Sequence, residues 1–121
     1  MTRVMFDSNA YDAILRHGDA ERIEAEMFSV ITTAAQEDEL RQITDPARRV
    51  ALLEIFHALH AATAEVSADW DAARDSIIGK AAAEHCDLLV TDDRELTQRL
   101  AVQAPKLRVL SYSDFRAEFL L

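Results

Sequence analysis

An internal disulfide is closed to this chain, because its 121 residues include a single cysteine, Cys86, and a disulfide-stapled scaffold is therefore excluded. Glycine and proline are scarce, with two of each, and no low-complexity tract, linker or repeat interrupts the sequence. That scarcity predicts one domain over residues 1–121. Long apolar runs are missing as well. The best, CDLLV, is closed off by TDDRE, far short of the roughly 20 residues that span a bilayer, so no membrane role is expected. The opening MTRVMFDSN carries neither a signal-peptide apolar run nor a twin-Arg signal, which makes the cytoplasm the expected compartment. Positive charge is in deficit too: 13 basic residues face 22 acidic ones, for a net charge of -9. Whole-surface attraction to a polyanion is thus disfavoured. Nucleic acid remains compatible if several carboxylates share one site whose charge divalent cations cancel, because a bound ion reverses the local field. The alternative is that the acidity only keeps the protein soluble, and composition does not choose between them.

What the chain does have is apolar content, 50% of its residues, enough for a core without staples. RVMF at 3–6 ends in DSN, and DLLVT at 87–91 ends in DD; both read as strands buried on two faces in a parallel sheet. MFSVITT at 27–33 and LRVLS at 107–111 are further candidates. Helices fall between them. Asp45 followed by Pro46 is an N-cap with proline at the first helical position, and Val50, Leu53, Phe56, His57 and His60 recur at helical spacing to at least Ala64. A second helix is predicted from Asp69 or Trp70 to His85, with Asp71, Asp75, Ile78, Ala82 and His85 on one stripe. Others are expected from Asp92 or Asp93 through Leu100, from about Glu37 with Leu40 and Ile43, and from an Asp114 cap onward. Strands alternating with helices imply an α/β fold, a three-layer α/β/α sandwich around a parallel sheet of four to five strands.

Ligands of open parallel sheets bind beyond the carboxyl ends of the strands, and here the two best strands stop at Asp7 and at Asp92 and Asp93. The third is followed within two helical turns by Glu37, Asp38 and Glu39, and Asp75 stands on the helix leading into DLLVT. Carboxylates brought this close repel one another, so such a cluster takes up protons or holds cations. Mg²⁺ suits oxygen ligands and keeps waters, leaving positions for substrate phosphate. Taken singly, Asp7, Asp92 and Asp93 are accounted for as helix caps, and Asp75 by an ion pair with Arg74 or Lys80. The combination is what argues for a site.

These same segments resemble the PIN-domain family, nucleases often found as the toxin half of bacterial toxin–antitoxin pairs. VMFDSNAY at 4–11 is similar to the family's opening strand with its Asp and following Asn. DSIIGKAAAEHCDLLVTDD at 75–93 resembles its helix-opening Asp, the small residues behind it and the strand ending in Thr-x-Asp. The resemblance covers nearly the whole chain. It implies that Asp7, Asp75 and Asp93 bind Mg²⁺ or Mn²⁺, with Asn9 and Thr91 as polar supports. It implies a mid-chain acid for which Glu39, followed by Leu40, fits better than Glu37. Asp92 stands where the family commonly has Asn, and is either an additional ligand or a cap. The implied activity is hydrolysis of RNA by a metal-bound water, using one or two ions, with Asp7, Glu39, Asp75 and Asp93 as the catalytic acids. The implied partners are RNA and an antitoxin protein.

Arg3, Arg48, Arg49, Lys80, Arg94 and Arg99 are candidates for phosphate contact, with Lys80 and Arg94 first because they lie nearest the acids in sequence. Tyr11 and Trp70 could stack on bases; a core or dimer contact is the alternative for Trp70, and a homodimer is expected. His57, His60 and His85 lack the further ligands of a zinc set. Cys86 reads as a buried small hydrophobe, and Ser8 has no histidine partner nearby in sequence for a triad. Two rivals belong to other classes: a domain of this fold that binds without turnover, and a phosphoacceptor of receiver type, which the absence of a lysine after the last strand disfavours.

Overall fold

Alternation along each strand sends side chains to opposite faces of a sheet, and here both faces are apolar. Strands β1 (Arg3–Phe6), β2 (Ser29–Thr32) and β4 (Leu88–Val90) put Val4, Phe6, Val30, Leu88 and Val90 on one side. Met5, Ile31 and Leu89 lie on the other. The protein is described by a computed structural model covering residues 1–65 and 74–121, without the side chains of 74–76. With β3 (His60–Thr63) and β5 (Arg108–Leu110), these strands form one five-stranded, all-parallel sheet in the order β3-β2-β1-β4-β5.

Helices α1 (Ser8–His17), α2 (Ala20–Ala25), α3 (Ala34–Arg41), α4 (Pro46–Leu59) and α7 (Tyr112–Phe115) contribute to the first core. Helices α5 (Arg74–His85) and α6 (Arg94–Gln103) pack on the second face through Ile78, Ala81, Ala82, Leu96 and Leu100. This is the expected three-layer α/β/α arrangement. No helix among the described residues is long and apolar enough to cross a membrane.

Several expected boundaries shift. The helix beginning at Pro46 ends at Leu59 rather than running to Ala64, and the next residues form β3. His-Ala-Ala-Thr has little intrinsic strand preference; the exposed edge of β2 recruits it through main-chain bonds, with every side chain left exposed. The inward stripe of α4 is Leu52, Phe56 and Leu59, whereas Val50 is exposed and His57 and His60 face outward. Helix α3 starts at Ala34, not near Glu37, because Thr33 and Gln36 make a capping box. Ser111, not Asp114, caps α7. Helix α2 was not foreseen. Asp69, Trp70 and Asp71, where the helix carrying Asp75 is expected to begin, lie outside the described residues.

Tyr11 is fully buried against Phe6 and Phe56, yet its hydroxyl has no hydrogen-bond partner among the described residues. A buried, unsatisfied hydroxyl is destabilising. Tyr11→Phe is therefore expected to raise the unfolding free energy by about 1 kcal/mol, read as a higher urea midpoint with an unchanged slope.

Candidate functional site

The register of the central pair sets the site. Phe6 lies opposite Val90, and the Asp7 N–H bonds the Val90 carbonyl at 2.9 Å, so Asp7 and Thr91 leave the sheet side by side. Asp7 is 4% exposed. Its Oδ1 accepts the Ser8 N–H at 2.7 Å, which caps α1, and its Oδ2 accepts the Thr91 hydroxyl at 2.8 Å. Thr91 Oγ1 in turn accepts the Asp93 N–H at 3.1 Å. Asp93 then turns the chain into α6, its Oδ1 taking the Leu96 N–H at 3.1 Å. One buried threonine hydroxyl thus couples two acids that lie on separate strand ends.

The mid-chain acid is brought in from the neighbouring strand. Thr33 Oγ1 accepts the Gln36 N–H at 3.2 Å, and the Gln36 carboxamide donates to the Phe6 carbonyl at 2.5 Å, tying α3 to the end of β1. Less than one turn further on, Glu39 Oε2 accepts the Ser8 hydroxyl at 3.0 Å. Glu37 is used elsewhere: His57 at 2.9 Å and Arg41 at 2.8 Å hold its carboxyl below the usual carboxylate range. Of the two candidates, Glu39 is therefore the acid that adjoins Asp7.

Asp7, Glu39, Asp93 and Thr91 accordingly belong to one hydrogen-bonded chain at the carboxyl edge of the sheet. Asp75 stands in the first turn of α5, but its side chain lies outside the described residues. Among those that are described, no group of three or more His, Cys, Asp or Glu side chains is placed to share a metal ion. Asp92 is exposed and its Oδ1 accepts the Tyr112 N–H at 3.0 Å, linking the ends of β4 and β5. Asn9 is exposed, beside Ser8 and Glu39 in a small recess of about 100 Å³.

The expected phosphate-binding cations divide. Arg3 pairs with Asp87 at 3.2 Å and Arg48 pairs with Asp12, while Arg49 donates to the Ile43 carbonyl. Lys80 lies with Arg99 in a groove between α5 and α6, 3.9 Å from Glu84. Arg94 is exposed and lines a cavity of about 560 Å³ that reaches Thr91 and Asp92. Burial pushes the Cys86 thiol up to about 12, as befits an inert core residue.

Two members of the site were missed from sequence. Ser8 links Asp7 to Glu39, and Gln36 is a wholly buried anchor. The Thr33-Ala34-Ala35-Gln36 capping-box pattern was the available signal for the second; the first depends on which strands are neighbours and had none. Set against models of known protein families and against characterised proteins, the chain matches none.

Proposed function

We propose that this chain is a PIN-like ribonuclease that depends on Mg²⁺ or Mn²⁺ and hydrolyses RNA phosphodiester bonds. The observation that carries the reading is the junction of Asp7 and Asp93 through the Thr91 hydroxyl, with Glu39 joined on the other side through Ser8. The donor set suits a hard cation, since Mg²⁺ is commonly held by one or two carboxylates with water and phosphate oxygen completing its shell. Asp7 and Asp93, with Asp75, are the residues proposed to hold it. When bound, such an ion activates water and stabilises charge on the phosphate and leaving oxygen.

The chain's own groups have separable tasks in this reading. Thr91 fixes the Asp7 carboxylate by donating to one oxygen and holds the Asp93 main chain by accepting its N–H, while the Leu96 N–H orients the Asp93 carboxylate. Ser8 donates to both of its neighbours, its main-chain N–H to Asp7 and its hydroxyl to Glu39. Each carboxylate oxygen can accept more than one bond, so the bonds to Thr91, Ser8 and Leu96 leave acceptor capacity for a cation. One observation favours the rival reading, a domain that binds without turnover: Asp7 and Asp93 both cap helices, a role sufficient to account for either acid alone.

The test is to incubate the purified full chain with a mixed-sequence, end-labelled single-stranded RNA in Mn²⁺, in Mg²⁺ and in EDTA. Cleavage in either metal that EDTA abolishes is the expected result. A folded protein that leaves the RNA intact in both metals overturns the nuclease and leaves the binding module. An antitoxin and a homodimer belong to the same proposal and are read by co-purification and by sedimentation.

A further inference from the structure

Most of the arginines on this acid-rich chain are neutralised by it. Arg3, Arg22, Arg41, Arg48 and Arg108 each stand in an ion pair with an Asp or Glu. Arg16, Arg49 and Arg94 make none among the described residues; Arg49 donates instead to the Ile43 carbonyl, and the other two are not scattered. Arg94 lines the cavity of about 560 Å³ whose wall includes Thr91 and Asp92. Arg16 lines a second cavity, of about 270 Å³, together with His17, Arg116 and the same Asp92. The two cavities therefore abut at Asp92, and the first begins at the threonine that joins the candidate catalytic acids.

The second cavity is built rather than incidental. Arg116 Nε donates to Asp19 Oδ2 at 2.8 Å, and Asp19 is fully buried, receiving the Tyr112 hydroxyl at 2.7 Å on the same oxygen. His17 stacks on the Tyr112 ring at 5.8 Å. One edge of the Arg116 guanidinium is thus anchored from behind, and its remaining N–H donors are available to a ligand. Asp92, the acid between the cavities, is held by the Tyr112 N–H on its inner side. Arginine and histidine in the last turn of α1 also complement the helix dipole. That accounts for charge at the helix end, but not for a second arginine fixed across the cavity from it.

We propose that these two cavities form a track for the backbone of a single RNA strand, with Arg94 contacting one phosphate and Arg16 with Arg116 contacting another. The proposal rests on the nuclease reading for its substrate. Sequence-independent affinity for RNA arises from just such phosphate contacts, each of which makes binding depend on salt. An overall charge of -9 leaves the strand few places to lie; here Arg16 and Arg94 carry no ion pair and Arg116 keeps donors beyond its bond to Asp19, against the carboxylates of Asp92 and Asp114 on the same walls.

The test measures anisotropy of a labelled single-stranded 12-mer RNA bound to the full chain in EDTA, across a salt series, with cleavage in Mn²⁺ followed separately. Arg16→Ala and Arg94→Ala are each expected to weaken binding about threefold to tenfold and to lower the salt slope by about 0.7, the value of one phosphate contact on a single strand. Lys106→Ala, an exposed cation outside both cavities, is expected to change neither. Arg116→Lys keeps the charge and reports on the anchored geometry without emptying the cavity. Equal, small effects of Arg16→Ala and Lys106→Ala overturn the track even if the wild type cleaves RNA. Affinity that depends on Arg16 and Arg94 without cleavage in either metal keeps the track and removes the nuclease. A rise in Tm with inorganic phosphate that Arg16→Ala abolishes, with RNA binding unaffected, assigns the second cavity to free phosphate and also overturns the track.

Discussion

Asp93→Asn is expected to lower RNA cleavage by about 100-fold or more while leaving stability within about 0.5 kcal/mol of the wild type. The two halves of that expectation have separate causes. Asparagine is as good an N-cap as aspartate, so the bond from the Leu96 N–H to the side-chain oxygen at 3.1 Å survives. The Asp93 N–H to Thr91 is a main-chain donor and is untouched. What disappears is one negative charge at the end of β4, and with it, in the proposed reading, a ligand for a divalent ion. Equal losses in kcat and kcat/KM would show that the missing interaction belongs to the transition state. If instead Asp93→Asn cleaves as the wild type does, Asp93 is a cap and nothing more. Asp7→Asn is less clean, because Asp7 accepts from Ser8 on one oxygen and from Thr91 on the other, and an amide can keep one of these but not both.

The second large effect is on folding and lies away from the acids. Asp19→Ala is expected to cost about 3 kcal/mol, as breaking one side of a buried charged pair does. Asp19 is fully buried, and its removal leaves the Tyr112 hydroxyl and the inner edge of the half-buried Arg116 guanidinium without their partner. Burial acts to raise the Asp19 pKa, but the hydrogen bonds from Tyr112 and Arg116 and the nearby positive charges outweigh it, so the carboxyl sits below its usual value. The sign of the pH effect follows. The unfolded chain takes up this proton near pH about 3.9, whereas the folded chain resists to lower pH, so protons favour unfolding in that interval. Stability supplied by Asp19 is complete above that range and is lost as pH falls through it. Urea unfolding of wild type and Asp19→Asn at neutral pH and below pH 4 checks this, with the gap between them closing in acid. A gap that does not change with pH would show that Asp19 acts through packing rather than charge.

Tyr112 ties this buried acid, which positions Arg116, to the turn after β4. Its hydroxyl binds the buried acid while its N–H binds Asp92. The end of β5 and the turn after β4 are thereby fixed to the first core, and the two arginine-lined cavities keep their relative place.

Periodicity and punctuation were enough to read most of the element types, α2 and β3 excepted. VMF and LLV, each run closed by acids within two residues, specify buried parallel strands, Asp45-Pro46 specifies a helix start, and the absence of cysteine pairs and of long apolar runs narrows the class to an α/β domain, all by rules that act over a few residues. Those rules also marked Asp7 and Asp93 as strand-terminal acids. They could not say which strand lies beside which, and the site depends on that. Only the pairing of β1 with β4 brings Asp7 to Thr91 and thence to Asp93. Only the placement of α3 on the end of β1 sets Glu39 against Ser8, while Glu37 pairs with His57 and Arg41. Strand β3 escaped notice for a related reason, since its four exposed residues form a strand because β2 offers an open edge. Local sequence sets the conformation of each segment through short-range sterics and burial pattern, whereas which carboxylates and arginines end up as neighbours is settled by contacts between residues as far apart as 7 and 91 or 19 and 116, and those exist only once the sheet has closed.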